Sequence, residues 1–456
     1  MSGLIGTMWI ALSGLAAQQA GLAATTNNVA NLNTPGYSRQ RPVLEEADPI
    51  LQGNLDFGDG VQVQGIASVR SDLLTLQVAD ETQQQGSSQA YTNAMNQVET
   101  LFPDDTTGIG AEISGFFQSL NNLSTNPSDL TQRQAVLTAA GNMANAFQTS
   151  ANQLTQIRGQ LDLNVQQQVG QVNQLTQQIA TINTKLAAVS SAGQQYSSLL
   201  DQRDSLIQQL SGIVDVSQIN DGTSLTLTTK QGAALVVDGS AYSLTTQPDS
   251  SGTERIYSAQ GADITSQISG GALGGMVQAR DQDVPALEAQ LDSLASGMVT
   301  ALNTANAMGT DLNGNPGGNL FLPVTGAGAA SAMKVAITDP RLLAAGSDGT
   351  SGSNGNIANL SAVANQAVSN GLTPSGAYGN IVFQVGMNVS NGTAELYASK
   401  AMLQQLQQQQ SSVSGVSLDE EASNLLLYQR AYQAAAEAVT AVNQMLQTAI
   451  NMGAGA

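Results

Sequence analysis

The 456-residue chain has no cysteine and no histidine, carries 14 Lys and Arg against 34 Asp and Glu, and has few aromatic residues (7 Phe, 1 Trp, 9 Tyr). Without a thiolate or an imidazole, disulfides, zinc fingers, iron–sulfur clusters, cysteine nucleophiles and Ser-His-Asp relays are excluded, and any enzyme would have to run on carboxylates. A net charge of -20, with basic residues scattered singly from Arg39 to Arg430, repels nucleic-acid phosphates and anionic lipid headgroups, so neither nucleic acid nor membrane is an expected partner.

The length suits about three domains of roughly 150 residues. Apolar periodicity runs through most of the chain, which argues against a Gln-rich disordered polymer. Residues 1–38 and 438–456 contain no charge at all. The first of these stretches lacks a basic start and is broken by Gly14, Gln18, Gln19 and Gly21, which predicts export without a cleaved secretory leader. No run approaches about 18 apolar residues, so no bilayer span is expected.

In chain order, Ile5, Met8, Leu12, Leu15, Gln19, Leu22, Thr26 and Val29 alternate at spacings of three and four, which predicts a heptad helix. It ends at Asn33-Thr34-Pro35-Gly36, where Pro35 has no N–H and Gly36 accepts positive φ. A longer seam places Phe147, Leu154, Leu161, Gln168, Leu175, Ile182 and Val189 seven apart, with Val165, Val172, Ile179 and Leu186 interleaved. It predicts a rod of roughly 65 Å that serves either as a core helix or as a dimer seam. Ser224-Leu225-Thr226-Leu227-Thr228, then Lys230-Gln231-Gly232 and Ala234-Leu235-Val236-Val237, read as a hairpin, with short strands at 242–246 and 255–257. Residues 306–356 read as loops with a strand at 333–337. Ile381-Val382-Phe383-Gln384-Val385 is strand-like by propensity, although it continues into a helical stretch at 394–410.

A closing helix carries Leu418, Leu425, Tyr432, Val439 and Leu446 at one heptad position and Tyr428, Ala435, Val442 and Ala449 at the other. The first and last seams are each too narrow to bury themselves, so they are expected to pack on each other. The fold class is therefore mainly α: long helices, a terminal coiled coil made by both ends of the chain, and a small inserted β-rich subdomain. The expected division is an inner domain of residues 1–34 and 414–456, a central helical domain of 35–210, 264–305 and 357–413, and an outer β-rich insertion of 211–263 with 306–356.

Candidate chemistry is sparse. Asp311-Leu312-Asn313-Gly314-Asn315 opens like a calcium loop, but Pro316 and Leu322 stand where glycine and glutamate belong, so it reads as a loop. Glu45-Glu46, Asp104-Asp105, Asp281 with Asp283, and Asp419-Glu420-Glu421 have the composition of a glycosidase pair without its spacing or a sugar platform. They read as solvated or helix-start charges, the last triplet favouring the positive end of the closing helix. No catalytic residue, metal ligand or cofactor is expected.

Two segments carry a resemblance. Asn27-Asn28-Val29-Ala30-Asn31-Leu32-Asn33-Thr34-Pro35-Gly36-Tyr37-Ser38-Arg39-Gln40 resembles the N-terminal signature of the axial proteins of the bacterial flagellum, namely rod, hook and hook-associated proteins. Leu418-Asp419-Glu420-Glu421-Ala422-Ser423-Asn424-Leu425, continuing to Tyr428-Gln429-Arg430-Ala431-Tyr432, is similar to the hook-associated protein 1 family, as are Leu199-Leu200-Asp201-Gln202-Arg203-Asp204 and the Gly271-Ala272-Leu273-Gly274-Gly275 run leading to Arg280-Asp281-Gln282-Asp283.

The resemblance implies a structural subunit at the hook–filament junction, outside the cell, exported through the flagellar type III channel. It also implies self-association in a ring, contacts to hook protein and hook-associated protein 3, and an export chaperone. It favours a helix from about Gly376 over a local strand. The assembly residues it marks are Asn27, Asn28, Ala30, Asn31, Thr34, Pro35, Gly36 and Tyr37, with Leu418, Asp419, Glu420, Glu421, Asn424, Leu425, Tyr428, Gln429, Ala431, Tyr432, Val439 and Leu446. Hook or flagellin-like subunits are the alternative within the superfamily, and a secreted carboxylate glycosidase or cell-wall hydrolase is the alternative outside it.

Overall fold

The structure, a computed structural model, describes residues 2–52, 55–103, 107–191, 193–220, 225–350 and 352–454. The chain opens with helix α1 (Ser2–Ala30), which stops at the Asn33-Thr34-Pro35-Gly36 turn, where Gly36 sits at φ +76°. A β arm follows: β1 (Gln40–Glu46), β2 (Ile50–Gln52), β3 (Leu55–Phe57) and β4 (Val61–Ser68). β1 pairs antiparallel with β4 from Gln40↔Ser68 to Glu46↔Val61, and the β2–β3 hairpin forms its tip. The arm lies along α1, where Val61 N–H donates to Ser13 Oγ at 3.2 Å. Sequence reading placed residues 35–68 in the helical domain. The overlooked signal is Val61-Gln62-Val63-Gln64, which alternates with period two, while Pro42 sits on the partner strand β1 of a two-stranded sheet, opposite Ile66.

The body is helical. α2 (Asp72–Glu99), α3 (Gly108–Leu123) and α4 (Leu130–Ala188) lead to α5 (Gln194–Ser211). Asp129 caps α4, accepting from Thr131 N–H at 2.7 Å, and its 59 residues make a rod of about 88 Å. Strands β5 (Ser217–Asn220), β6 (Leu225–Thr228), β7 (Ala234–Val237) and β8 (Ser240–Ala241) form one antiparallel sheet, while β9 (Thr245–Pro248) pairs with β10 (Glu254–Tyr257). The expected hairpin is β6–β7, in register Leu227↔Val236 with Gly232 at φ +92°; Ser224 lies outside the described residues.

Helix α6 (Gly271–Gln278) runs through a π turn (Ala279–Asp283) into α7 (Val284–Ala307). Short helices α8 (Ala329–Ala332) and α9 (Gly355–Ala362) precede α10 (Pro374–Ser414) and α11 (Leu418–Ala454).

One core joins α2, α3, the first half of α4, α7 and α10 around Phe116, Phe147, Leu291 and Tyr378. A second joins the far half of α4 to β6, β7, β10 and α6 around Val172, Leu227, Val236 and Ile256. The long seam is thus covered within the chain, which resolves it as a core helix. Its polar intruder Arg158 pairs with Glu288 of α7 at 3.0 Å. Residues 306–356 depart from the expected grouping. Leu320, Phe321, Met333 and Leu343 are buried in the helical core, and the 333–337 strand is reduced to a single Phe321↔Val335 bridge.

The strand-like stretch at 381–385 lies inside α10. Ile381 and Val385, four apart, enter the core while Phe383 stands in solvent, so burial with helical period overrides β propensity. Gly275 lets α6 press on α2, since a Cβ there would lie 2.1 Å from Ser87 O.

Candidate functional site

α11 runs antiparallel to α1, and the two chain ends pair as the apolar pattern predicts. On α11, Leu425, Tyr428, Tyr432, Ala435, Val439, Val442 and Leu446 lie at the contact, half-buried or buried, while Leu418 is exposed. On α1 the face differs from expectation. Ala17, Gly21, Ala24, Thr25 and Asn28 are buried, while Ile5, Leu12 and Val29 of the predicted seam are exposed.

The reason is steric. Tyr428 presents a ring that needs a small residue opposite, and a Cβ built on Gly21 would lie 2.6 Å from that ring. Small residues with heptad spacing therefore make the contact inside the chain, while Ile5, Leu12 and Val29 are left outside it and Met8, Leu15 and Leu22 are half-buried.

At the end of this pair the signature residues converge on Asn28, which is 1% exposed. Its Nδ2 donates to Gln40 O at 2.9 Å and to Glu421 Oε2 at 3.0 Å. Its Oδ1 accepts from Gln40 N–H at 2.8 Å and from Tyr37 Oη at 2.8 Å. A primary amide offers two donors and two acceptor positions, and all four are used here. One side chain thus joins the end of α1, the turn, strand β1 and the first turn of α11.

Asn27 Nδ2 supports the hub through Tyr37 Oη (3.0 Å) and Gln40 Oε1 (3.3 Å). Asn31 caps back onto Asn27, and Thr34 Oγ1 donates to Asn31 Oδ1 at 3.1 Å. Burial pushes the Tyr37 phenol up to about 12, with the Asp201 and Glu421 charges adding to the rise against the Asn27 hydrogen bond.

The acidic triplet divides into three roles. Glu421 is 2% exposed and belongs to the hub, Glu420 forms an ion pair with Arg39, and Asp419 is exposed in the first helical turn. The expectation of uniformly solvated helix-start charges is corrected by the buried amide that Glu421 meets. Asn424 is half-buried on α11, as is Ala431; Ala30, Thr34, Pro35, Gly36 and Gln429 are exposed. Tyr432 Oη accepts from Gln19 Nε2 at 3.5 Å.

Sequence reasoning missed Gln40, Gly21 and Arg39 as site residues, although Arg39 and Gln40 close the signature. It also gave no role to the Asp201-Gln202-Arg203-Asp204 stretch. In the structure Asp201 Oδ2 accepts from Ser38 N–H at 3.0 Å and Asp204 pairs with Arg70.

Several of the other candidate carboxylates have structural partners: Glu45 Oε2 accepts from Gln64 Nε2 at 2.6 Å and Asp283 Oδ1 from Asn388 Nδ2 at 3.1 Å. Asp281 is held by the fully buried Arg280 (2.7 Å) and by Arg255 (3.5 Å), and Arg280 also reaches Asp162 at 2.8 Å. Asp311 Oδ1 accepts from the N–H groups of Asn313 and Asn315, both at 2.8 Å. Asp104 and Asp105 lie outside the described residues. Among the described residues no cluster has the composition of a metal site, and no helix is long and apolar enough to cross a membrane.

Comparison with known proteins agrees with this geometry. A family model described as the flagellar hook-associated protein FlgK helical domain matches residues 95–321. Models described as flagella basal body rod protein and as flagellar basal body rod FlgEFG protein C-terminal match residues 8–37 and 407–452, the two partners of the terminal pair. Flagellar hook-associated protein 1 of Escherichia coli K12 is 26% identical over 99% of this chain and 100% of its own length. The Bacillus subtilis 168 protein of that name is 29% identical over 97% of each.

Over nearly its whole length the chain is similar to flagellar hook-associated protein 1. The solved flagellar hook junction protein FlgK from Burkholderia pseudomallei has the same fold, with a TM-score of 0.67 at 20% identity, covering 74% of this chain and 100% of that one.

Proposed function

We propose that this chain is a structural subunit of the flagellum that joins hook to filament through its terminal helix pair, and that it performs no catalysis. The observation that carries the reading is the pair itself. It is locked at one end by Asn28, yet Ile5, Trp9, Leu12, Leu426, Leu427, Met445 and Ile450 remain exposed on it. Exposed apolar surface on this scale marks a protein–protein contact.

The uncharged stretches at 1–38 and 438–456 let copies of a chain of charge -20 approach without like charges repeating at each contact. Neighbouring copies in a ring, hook protein on one side and hook-associated protein 3 on the other would cover this surface. An export chaperone would shield the C-terminal helix before secretion through the type III channel. The working division is an inner pair of α1 and α11 with the β arm, a helical body, and the β5–β10 sheets outward. The E. coli alignment runs over 550 positions against 456 residues here, which fits a reduced outer part in this chain.

Electron microscopy of a strain lacking its own hook-associated protein 1 and supplied with this chain tests the reading. Restored filaments support it, and hooks that shed filament subunits despite secreted chain refute it.

A further inference from the structure

We infer that the contact between the terminal pair and the helical body is a two-position joint, with the Arg39 backbone as pivot and the Asp201–Asp204 turn of α5 as a latch that the pair leaves on assembly. The chain crosses between the two parts at residues 69–71 and 414–417. Arg39 touches both crossings: its N–H donates to Ser414 O at 2.8 Å, and its O accepts from Val69 N–H at 2.7 Å.

Beyond that pivot the polar contact with α5 is thin. Among the described residues it comprises the Ser38 backbone and side chain to Asp201, Arg70 to Asp204, and Ser197 Oγ to Ile66 O at 3.5 Å. None of the apolar clusters that hold the body includes a residue of α1, the β arm or α11.

Clefts of about 890 Å³ and 260 Å³ flank the latch, and Pro35, Gly36, Tyr37 and Asp201 line both. A close-packed body transmits strain without bending, so movement concentrates where packing gives way to polar contacts and open space.

The latch also has unused bonding capacity. Arg70 Nε, Asp201 Oδ1 and Arg203 Nε are shielded from solvent without a hydrogen-bond partner. Buried polar groups left in this way mark an arrangement from which a second can be reached by exchanging partners. Burial also pushes the Asp201 carboxyl up despite the Ser38 hydrogen bonds and the nearby Arg70 charge.

The first test needs no assembly. The chain has no cysteine, so spin labels on Gln177→Cys (α4) and Gln433→Cys (α11) report the joint without background. The wild-type background should give one narrow distance distribution. Asp201→Ala with Arg70→Ala should broaden it at unchanged helical content, and Asp201→Asn, which keeps an acceptor for Ser38, should leave it narrow. An unbroadened Ala double variant overturns the latch.

The second half rests on the junction reading and uses Ser38→Cys with Asp201→Cys. Reduced, this chain has an open latch and should complete filaments; oxidised, it is locked and should not. Equal assembly in both states overturns the joint while leaving the junction reading intact. Failure in both, with the body folded by circular dichroism, also overturns it.

Discussion

Asn28→Ala removes a buried side chain with four hydrogen bonds, three of them buried and the one from Tyr37 half-buried, leaving Gln40 N–H, Gln40 C=O, the Tyr37 hydroxyl and Glu421 short of a partner at once. Each stranded buried group costs roughly 1–3 kcal/mol, and Tyr37 keeps its contact with Asn27, so a loss of about 3–5 kcal/mol from the terminal pair is expected. At about 1.4 kcal/mol per decade, the open form of the pair gains roughly two to three and a half orders of magnitude in population. Trypsin cleavage after Arg39 should rise accordingly under conditions where opening is fast, while the Arg41–Pro42 bond is refractory to trypsin and the body resists.

Asn28→Asp keeps the shape but aims a carboxylate oxygen at Gln40 O and at Glu421 Oε2, groups the amide met at 2.9 and 3.0 Å. It should be at least as damaging at pH 8. It should recover toward acid pH, because two close carboxylates can share one proton. Wild-type cleavage rates in both variants would refute the hub as the lock on the chain ends.

Gly21→Val should loosen the pair by roughly 1–3 kcal/mol of overpacking against Tyr428, and Tyr428→Leu should partly restore it in a double-mutant cycle read by hydrogen exchange of α1. Arg280→Leu should instead lower the thermal midpoint of the body, since Asp162 and Asp281 lose a buried guanidinium at a cost of roughly 3–5 kcal/mol. Val439→Asp with Leu446→Asp should abolish junction assembly and leave the body folded, whereas Asp419→Ala should be mild and Glu421→Ala severe. Tyr37 should titrate near pH 12 by ultraviolet absorbance. Because its folded pKa is raised above the ordinary 10, its stabilisation of the hub is complete below pH 10 and is lost between about 10 and 12.

The long elements were legible because their cover is periodic. Phe147, Leu154 and Leu161 announce α4 from the sequence alone, and Tyr428, Tyr432 and Val439 announce the contact face of α11. The α1 face was misread because pattern reading ranks Leu12 and Val29 above Ala17, Gly21 and Ala24, and it cannot know that tyrosine rings stand opposite. Glu421 was read as a solvated charge for a related reason. Its amide partner lies 393 residues earlier in the chain, and no local spacing encodes that pairing. The β arm escaped because β1 is mostly exposed and Glu45-Glu46 interrupts any alternation along it.

The pairing across the chain also explains why the neutral surface need not be a hazard before it is covered. Ala17, Gly21 and Ala24 are too small to attract partners by themselves, and α11 alone is a half-apolar helix with exposed Leu426 and Leu427. Their combination is specified by polar geometry, since Asn28 is satisfied only when Gln40 and Glu421 are both in place. Buried polar groups of this kind add little net stability when satisfied and cost much when not, so they select one register over its neighbours. A slip of one heptad along α11 would keep small residues opposite large ones but leave the amide and the glutamate buried without each other. The paired face therefore exists in one register, presented by both ends of the chain together, and a chain lacking residues 418–454 would have neither the hub nor the face proposed to meet neighbouring subunits.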